Sequence, residues 1–229
     1  MTPATDPIRI SIFDMDRTIT RTGTYSQWLR HWVKTEARWR IVLLPLTAIT
    51  GLFYALRILD RSRLKEANQA LLMGRITENE RIREAARHFA ETIVPDGCFA
   101  DAVQRLAAEK AEGRRVMLAT ASYAFYVRAI AAKLGVDAVV ATRVKRTKAG
   151  DIRAKISGNN CYGAAKLAMI EQHLAGEGIG REDAHIRFFS DHHSDLPTFA
   201  WADEAIAING HAPMRRLAAA RGWTRLNWR

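Results

Sequence analysis

Apolar residues along this chain fall into two rhythms. Short apolar runs at 8–13, 116–119, 136–141, 186–189 and 205–208 have the length and composition of buried strands. Between them the pattern is helical over 61–73, 101–112, 125–134, 163–174 and 213–221. Thr77-Glu78-Asn79-Glu80 has the form of a capping box, predicting a further helix through Ile82, Ala86, Phe89 and Ile93 that Pro95-Asp96-Gly97 breaks near Val94. Residues 143–156 predict a β-hairpin turning at Ala149-Gly150. Strand and helix alternating in this way predict an α/β protein with a Rossmann-like, mostly parallel sheet and helices on both faces. The long stretch 23–94 predicts an all-helical insert, leaving 1–22 and 95–229 as the core.

Charge appears where such strands end. Asp14 and Asp16 follow the first strand, and two carboxylates two residues apart in extended chain point the same way. They repel unless a cation lies between them or one holds a proton, which suggests a metal site. Thr120-Ala121-Ser122 closes the second run, and Lys166 opens a helical stretch after Gly163-Ala164-Ala165. A second acidic pair, Asp191 and Asp195, follows the run 186–189. In open α/β sheets, ligands bind beyond the carboxyl ends of the strands, where Asp14, Thr120 and Asp191 are expected.

In this order the residues resemble the four motifs of the haloacid dehalogenase superfamily: Asp14 and Asp16 the first, Thr120 the second, Lys166 the third, Asp191 with Asp195 the fourth. The chain is similar to its subfamily IB phosphatases, phosphoserine-phosphatase-like or phosphatidylglycerophosphatase C-like, and the insert 23–94 resembles the family's inserted all-helical cap. The resemblance implies a phosphomonoester hydrolase with an aspartyl-phosphate intermediate on Asp14, and Asp16 as general acid and then base. It implies that Thr120 and Lys166 hold the phosphoryl group, and that Mg²⁺ is held by Asp14, the Asp16 carbonyl and Asp191, with Asp195 orienting Lys166 or a metal-bound water. Arg17 stands where glycine is commonest in the family, and with Ser122 and Tyr123 it is a further candidate for touching substrate. Ser122 also departs from the glycine frequent in phosphoserine-type members. His192 and His193 are expected to diverge as adjacent side chains and to stay out of the metal site.

Composition narrows the partners. Lys and Arg number 35 against 24 Asp and Glu, a formal charge of +11, which favours anionic partners. With no aromatic-plus-basic motif specific for nucleic acid, that partner is disfavoured. Cys98 and Cys161 lack metal-ligand spacing and are expected as reduced thiols in the cytoplasm, with no secretion signal ahead of Asp6 and Arg9. The charge-free run 41–56, of about 16 residues, falls short of a membrane span. It also lies between segments that must build one site, so a single crossing is excluded. A buried cap helix, a hairpin bent at Pro45 or Gly51, and an element lying on a membrane surface remain open. Trp28, Trp32 and Trp39 interleave with Arg30, Lys34, Arg38 and Arg40, and Arg57, Arg61, Arg63 and Lys65 follow, so 28–65 is a candidate for peripheral contact with the anionic inner face of a membrane. A lipid head-group phosphate is the favoured substrate; the rivals are a soluble phosphoserine or histidinol-phosphate type of ester, and a non-catalytic phospho-ligand or nucleic-acid-binding module.

Overall fold

The computed structural model describes residues 6–229; residues 1–5 of the segment assigned to the core lie outside the described residues. After β1 (Ile8–Phe13) the chain makes a helical excursion: α1 (Thr24–Thr35), a 3-10 segment (Arg38–Leu43), α2 (Leu46–Ala55), α3 (Arg61–Leu72), the two-residue β2 (Ile76–Thr77) and α4 (Asn79–Asp96). Then come α5 (Ala100–Ala111), β3 (Arg115–Tyr123), α6 (Ala124–Lys133), β4 (Ala138–Arg146), β5 (Ile152–Ser157) and α7 (Ala164–Gly176). The chain finishes with β6 (Ala184–Ser190), α8 (Leu196–Trp201), β7 (Glu204–Ile208), α9 (Ala212–Arg221) and β8 (Thr224–Leu226).

The strands form one sheet in the order β2-β5-β4-β3-β1-β6-β7-β8. From β4 to β8 in that order all pairs are parallel, while β5 returns antiparallel to β4 and β2 to β5. The expected mostly parallel α/β sheet is therefore observed. Side chains alternate across it as the pleat requires. Ile10 and Ile12 of β1, with Met117 and Ala119 of β3, join one core under α7, α8 and α9. Phe13, Val116 and Leu118 join the other, with Trp28, Phe89 and Tyr126 from α1, α4 and α6. Each such fully buried side chain contributes about 1.5–3 kcal/mol.

Several local expectations need correction. Pro95 does not break its helix, because α4 carries it in the last turn and continues one residue further. The stop is at Gly97, whose N–H donates to Ile93 O at 2.8 Å and where a Cβ would come within 2.7 Å of that oxygen. The capping box is not used: Thr77 Oγ1 donates to Met73 O, and no side chain caps Glu78. β8 and α8 are too short to register as periodic patterns and were not predicted.

The run 41–56 becomes the 3-10 segment and α2, joined at Pro45, with Gly51 inside α2. Neither element contains a buried residue, so the run is not a buried cap helix. Val42 is 70% exposed, Trp39 66%, Leu56 59% and Leu52 56%. The expected row of interfacial tryptophans also divides, since Trp28 is buried against Phe89 and Tyr126, Trp32 is buried against Trp28, and only Trp39 faces outward. Among the described residues no helix is long and apolar enough to cross a membrane.

At the opposite end of the strands from the acidic pairs, Glu109 of α5 is fully buried and faces Arg105, Arg114 and Arg187. Arg114 also donates to Ile10 O at 2.7 Å and Ser11 Oγ at 2.7 Å, tying α5 to β1. Removing one member of a buried ionic cluster strands the others without compensation. Glu109→Ala is therefore expected to lower unfolding stability by about 3–5 kcal/mol, measured by urea denaturation; a loss below about 1 kcal/mol would contradict the role given to this cluster.

Candidate active site

Topology brings the site together. β1 pairs with β3 on one side and β6 on the other, so the chain reverses its winding direction next to β1. Phe13 stands opposite Leu118 and Phe189, so Asp14, Thr120 and Asp191 lie within two residues of one row, Thr120 still paired with Ala141 inside β3. Such a switch point is where α/β sheets open a ligand crevice. A cavity of about 430 Å³ lies there, lined by Asp14, Asp16, Thr120, Lys166, Asp191 and Asp195 among others.

Lys166 Nζ spans two carboxylates, 2.8 Å from Asp14 Oδ1 and 2.6 Å from Asp195 Oδ2. Ser190 Oγ donates to Asp195 Oδ2 at 2.7 Å, while Asp195 Oδ1 is buried without a partner. Thr18 Oγ1 lies 3.4 Å from Asp14 Oδ2 and 3.5 Å from Asp191 Oδ1, between the two carboxylates. The backbone N–H of Asp191 donates to the same hydroxyl at 3.0 Å. Burial, with Asp195 and Asp191 nearby, pushes the Asp14 carboxyl up to about 7 despite Lys166. Burial and Asp195 likewise push Asp191 up to about 6. The Lys166 ammonium is held above its ordinary value, because Asp14 and Asp195 outweigh its desolvation.

The residues fit a divalent cation. Asp14 and Asp191 present carboxylate oxygens around Thr18, Lys166 and Arg17 do not balance the four acids of the cavity, and an all-oxygen donor set suits a hard ion such as Mg²⁺. Asp16 differs from its neighbours. Its Oδ1 accepts from Thr24 N and Thr24 Oγ1, each at 2.7 Å, and its Oδ2 accepts from Ser122 Oγ at 2.7 Å. Donors hold this carboxylate, whereas the sequence suggested a close anion beside it.

The remaining candidates separate. Thr120 is fully buried, lines the cavity and accepts from Ser122 N at 3.1 Å. Ser122 is buried and committed to Asp16. Tyr123 is fully buried beneath Lys65 and does not line the cavity. Arg17 does line it, with φ at 64°. A residue with a Cβ pays roughly 1–2 kcal/mol for that left-handed conformation, which is the physical reason glycine suits the position.

Four positioning groups were missed in the sequence: Thr18, Thr24, Ser190 and Lys65. Thr18 and Thr24 sit in a threonine-rich stretch directly after the first motif, the one signal that pointed to them. Lys65 comes from α3 and is buried, with Nζ 2.6 Å from Ala121 O, 3.1 Å from Asn160 Oδ1 and 4.2 Å from the Tyr123 ring centre. Burial and nearby Arg61 pull its ammonium down to about 7. A second pocket of about 360 Å³ shares Asp16, Tyr25, Arg61 and Ala121 with the first and extends to Lys65 and to Tyr54 of α2.

Residues 12–200 match the family model of haloacid dehalogenase-like hydrolases. The chain belongs to that family. As one of its hydrolases, the protein is an enzyme. It is 28% identical to Protein CicA of Caulobacter vibrioides over 199 residues, covering 87% of this chain and 85% of that one. A Bordetella pertussis protein of unknown function shares its fold with a TM-score of 0.83 and 25% identity, over 96% of this chain and 98% of that one. A substrate-bound phosphoserine phosphatase aligns with a TM-score of 0.61 and 18% identity, over 93% and 91% of the two chains.

Because Asp14 and Asp191 bind protons more tightly in the folded than in the unfolded chain, the native state holds more protons between about pH 4 and 7, and stability falls as pH rises through that window. A cation binding the deprotonated pair removes that loss. Mg²⁺ is therefore expected to raise Tm more at pH 8 than at pH 5, and thermal unfolding with equal or no gain at both pH values would contradict a carboxylate cation site.

Proposed function

We propose that this enzyme is a Mg²⁺-dependent phosphomonoester hydrolase that acts through an aspartyl-phosphate on Asp14, with a lipid head-group phosphate as its substrate. The observation that carries the chemistry is the buried Lys166, bonded to Asp14 and Asp195 at the floor of the cavity. An Asp14 oxygen attacks phosphorus in line with the leaving alkoxide, forming the acyl phosphate bond as the ester P–O bond breaks. Asp16, held by Thr24 and Ser122, gives its proton to that alkoxide. It then takes a proton from the water that attacks phosphorus and releases Asp14 and inorganic phosphate. Thr120 and Lys166 hold the phosphoryl oxygens where charge builds, and Arg17 adds a cation at the cavity wall. Asp14, Asp191 and the Asp16 carbonyl would hold Mg²⁺, which when bound would supply the neutralisation that lets an anionic nucleophile approach an anionic ester.

The lipid assignment rests on the insert. Exposed apolar α2 reaches, through Tyr54, the second pocket beside Arg61 and Lys65, which shares Asp16, Tyr25, Arg61 and Ala121 with the active-site cavity. Exposed Arg30, Lys34, Arg38, Arg57, Arg61 and Arg63 flank this surface. A membrane-surface element needs an apolar face to enter the interface and cations to meet anionic head groups, each cation contributing about 1 kcal/mol. With this surface on the membrane, the head-group phosphate enters the cavity to reach Asp14 while the acyl chains stay in the bilayer. A soluble phosphorylated metabolite is the second reading, favoured by the likeness to phosphoserine phosphatase.

Phosphate release should be measured with phosphatidylglycerophosphate, phosphatidic acid, phosphoserine, histidinol phosphate and an aryl phosphate. Lipid turnover above that of the soluble esters, lost by at least about 10³-fold in a folded Asp14→Asn variant, is the expected result. Preference for a soluble ester would overturn the lipid assignment and keep the chemistry; no turnover of any ester would favour a phospho-ligand-binding module. Sedimentation with anionic vesicles tests the surface separately. Val42→Gln, Leu52→Gln and Leu56→Gln together are expected to abolish vesicle binding and keep aryl phosphate turnover, and undiminished binding would contradict the membrane contact.

A further inference from the structure

Three histidines that the proposed hydrolytic chemistry leaves unused converge beside the cavity. His192 and His193 open the turn after β6, and His211 immediately precedes α9. Adjacent side chains diverge in a strand, but the chain turns into a 3-10 helix at His193, so the two rings stack with centroids 4.4 Å apart. The expectation that they diverge is therefore incorrect. His211 lies 5.3 Å from each of them. One ring nitrogen from each of the three falls within 4.8 Å of the others.

The spacing and donor type match a particular class of ion. His193 Nδ1 and His211 Nε2 are 3.2 Å apart. Two nitrogens bonded to one tetrahedral Zn²⁺ at about 2.0–2.1 Å stand about 3.3 Å apart, so this pair already has the span of one coordination edge. Imidazole nitrogen suits Zn²⁺, Ni²⁺ and Cu²⁺, whereas Mg²⁺ takes oxygen. His192 Nδ1 accepts from Ser194 N at 3.1 Å and lies 2.8 Å from Ser194 Oγ, which fixes the ring, and His193 and His211 are open to solvent for metal entry. We propose that His192, His193 and His211 form a second metal site, for a borderline divalent cation of the Zn²⁺ class, separate from the oxygen site at Asp14, Asp16 and Asp191. His192 also lines the cavity of Asp14 and Lys166, so an ion there places positive charge at the wall of that site.

The test is Zn²⁺ binding to the full chain by equilibrium dialysis in excess Mg²⁺, which occupies the oxygen site. Wild type is compared with the His193→Gln/His211→Gln double variant and with each single variant, all checked for an unchanged Tm without Zn²⁺. One saturable Zn²⁺ per wild-type chain, bound about tenfold or more weakly by each single variant and lost in the double variant, is the expected result. Equal Zn²⁺ binding by the double variant, or no saturable binding by wild type, overturns the proposal. Should the double variant not fold, undiminished affinity in the folded single variants overturns it equally.

Discussion

Like charges gathered in a buried space must be neutralised or protonated, and in the candidate active-site cavity Asp14, Asp16, Asp191 and Asp195 face the Lys166 ammonium and the Arg17 guanidinium. Much of the architecture follows from that imbalance. Desolvation and mutual repulsion raise the affinity of Asp14 and Asp191 for protons, Thr18 stands between their oxygens, and Ser190 satisfies one oxygen of Asp195. Neither hydroxyl supplies positive charge, so the site retains a deficit suited to a divalent cation and to an anionic ester that arrives with it.

The sheet holds this arrangement by placing its charged groups at opposite ends. Glu109 and its three arginines close the ends of the strands away from the cavity, while the acidic pairs occupy the carboxyl ends at the switch point beside β1. Between them lie layers of apolar side chains on both faces. The insert contributes differently along its length. Trp28, Trp32 and Phe89 are built into the core, whereas the 3-10 segment and α2 expose nearly all of their apolar residues next to the pocket. One segment can thus support the scaffold and still present an exposed apolar surface.

The strands and the acidic pairs were legible because each rests on a local pattern: an apolar run, then charge at its end. Lys166 and Thr120 were legible only through their order with Asp14 and Asp191. Thr18, Thr24 and Ser190 were not, since hydroxyl residues are common at turns and only the folded chain shows which carboxylate each one meets. The burial of Lys65 was hidden because its contacts at Ala121 and Asn160 are distant in sequence. Hydrophobicity alone also misled in the insert. The tryptophans of α1 turned inward and the charge-free run turned outward, because burial depends on which helix face meets α4 and α6, and composition does not record that.

The central claim is that phosphorus passes through Asp14, and the stereochemical course of hydrolysis tests it most directly. A phosphomonoester made chiral at phosphorus with oxygen isotopes would be transferred to an acceptor alcohol by the wild-type enzyme. Two successive in-line displacements, the first by Asp14 and the second by the acceptor, predict retention of configuration. Inversion would mean a single direct displacement and would contradict the role of Asp14 as nucleophile.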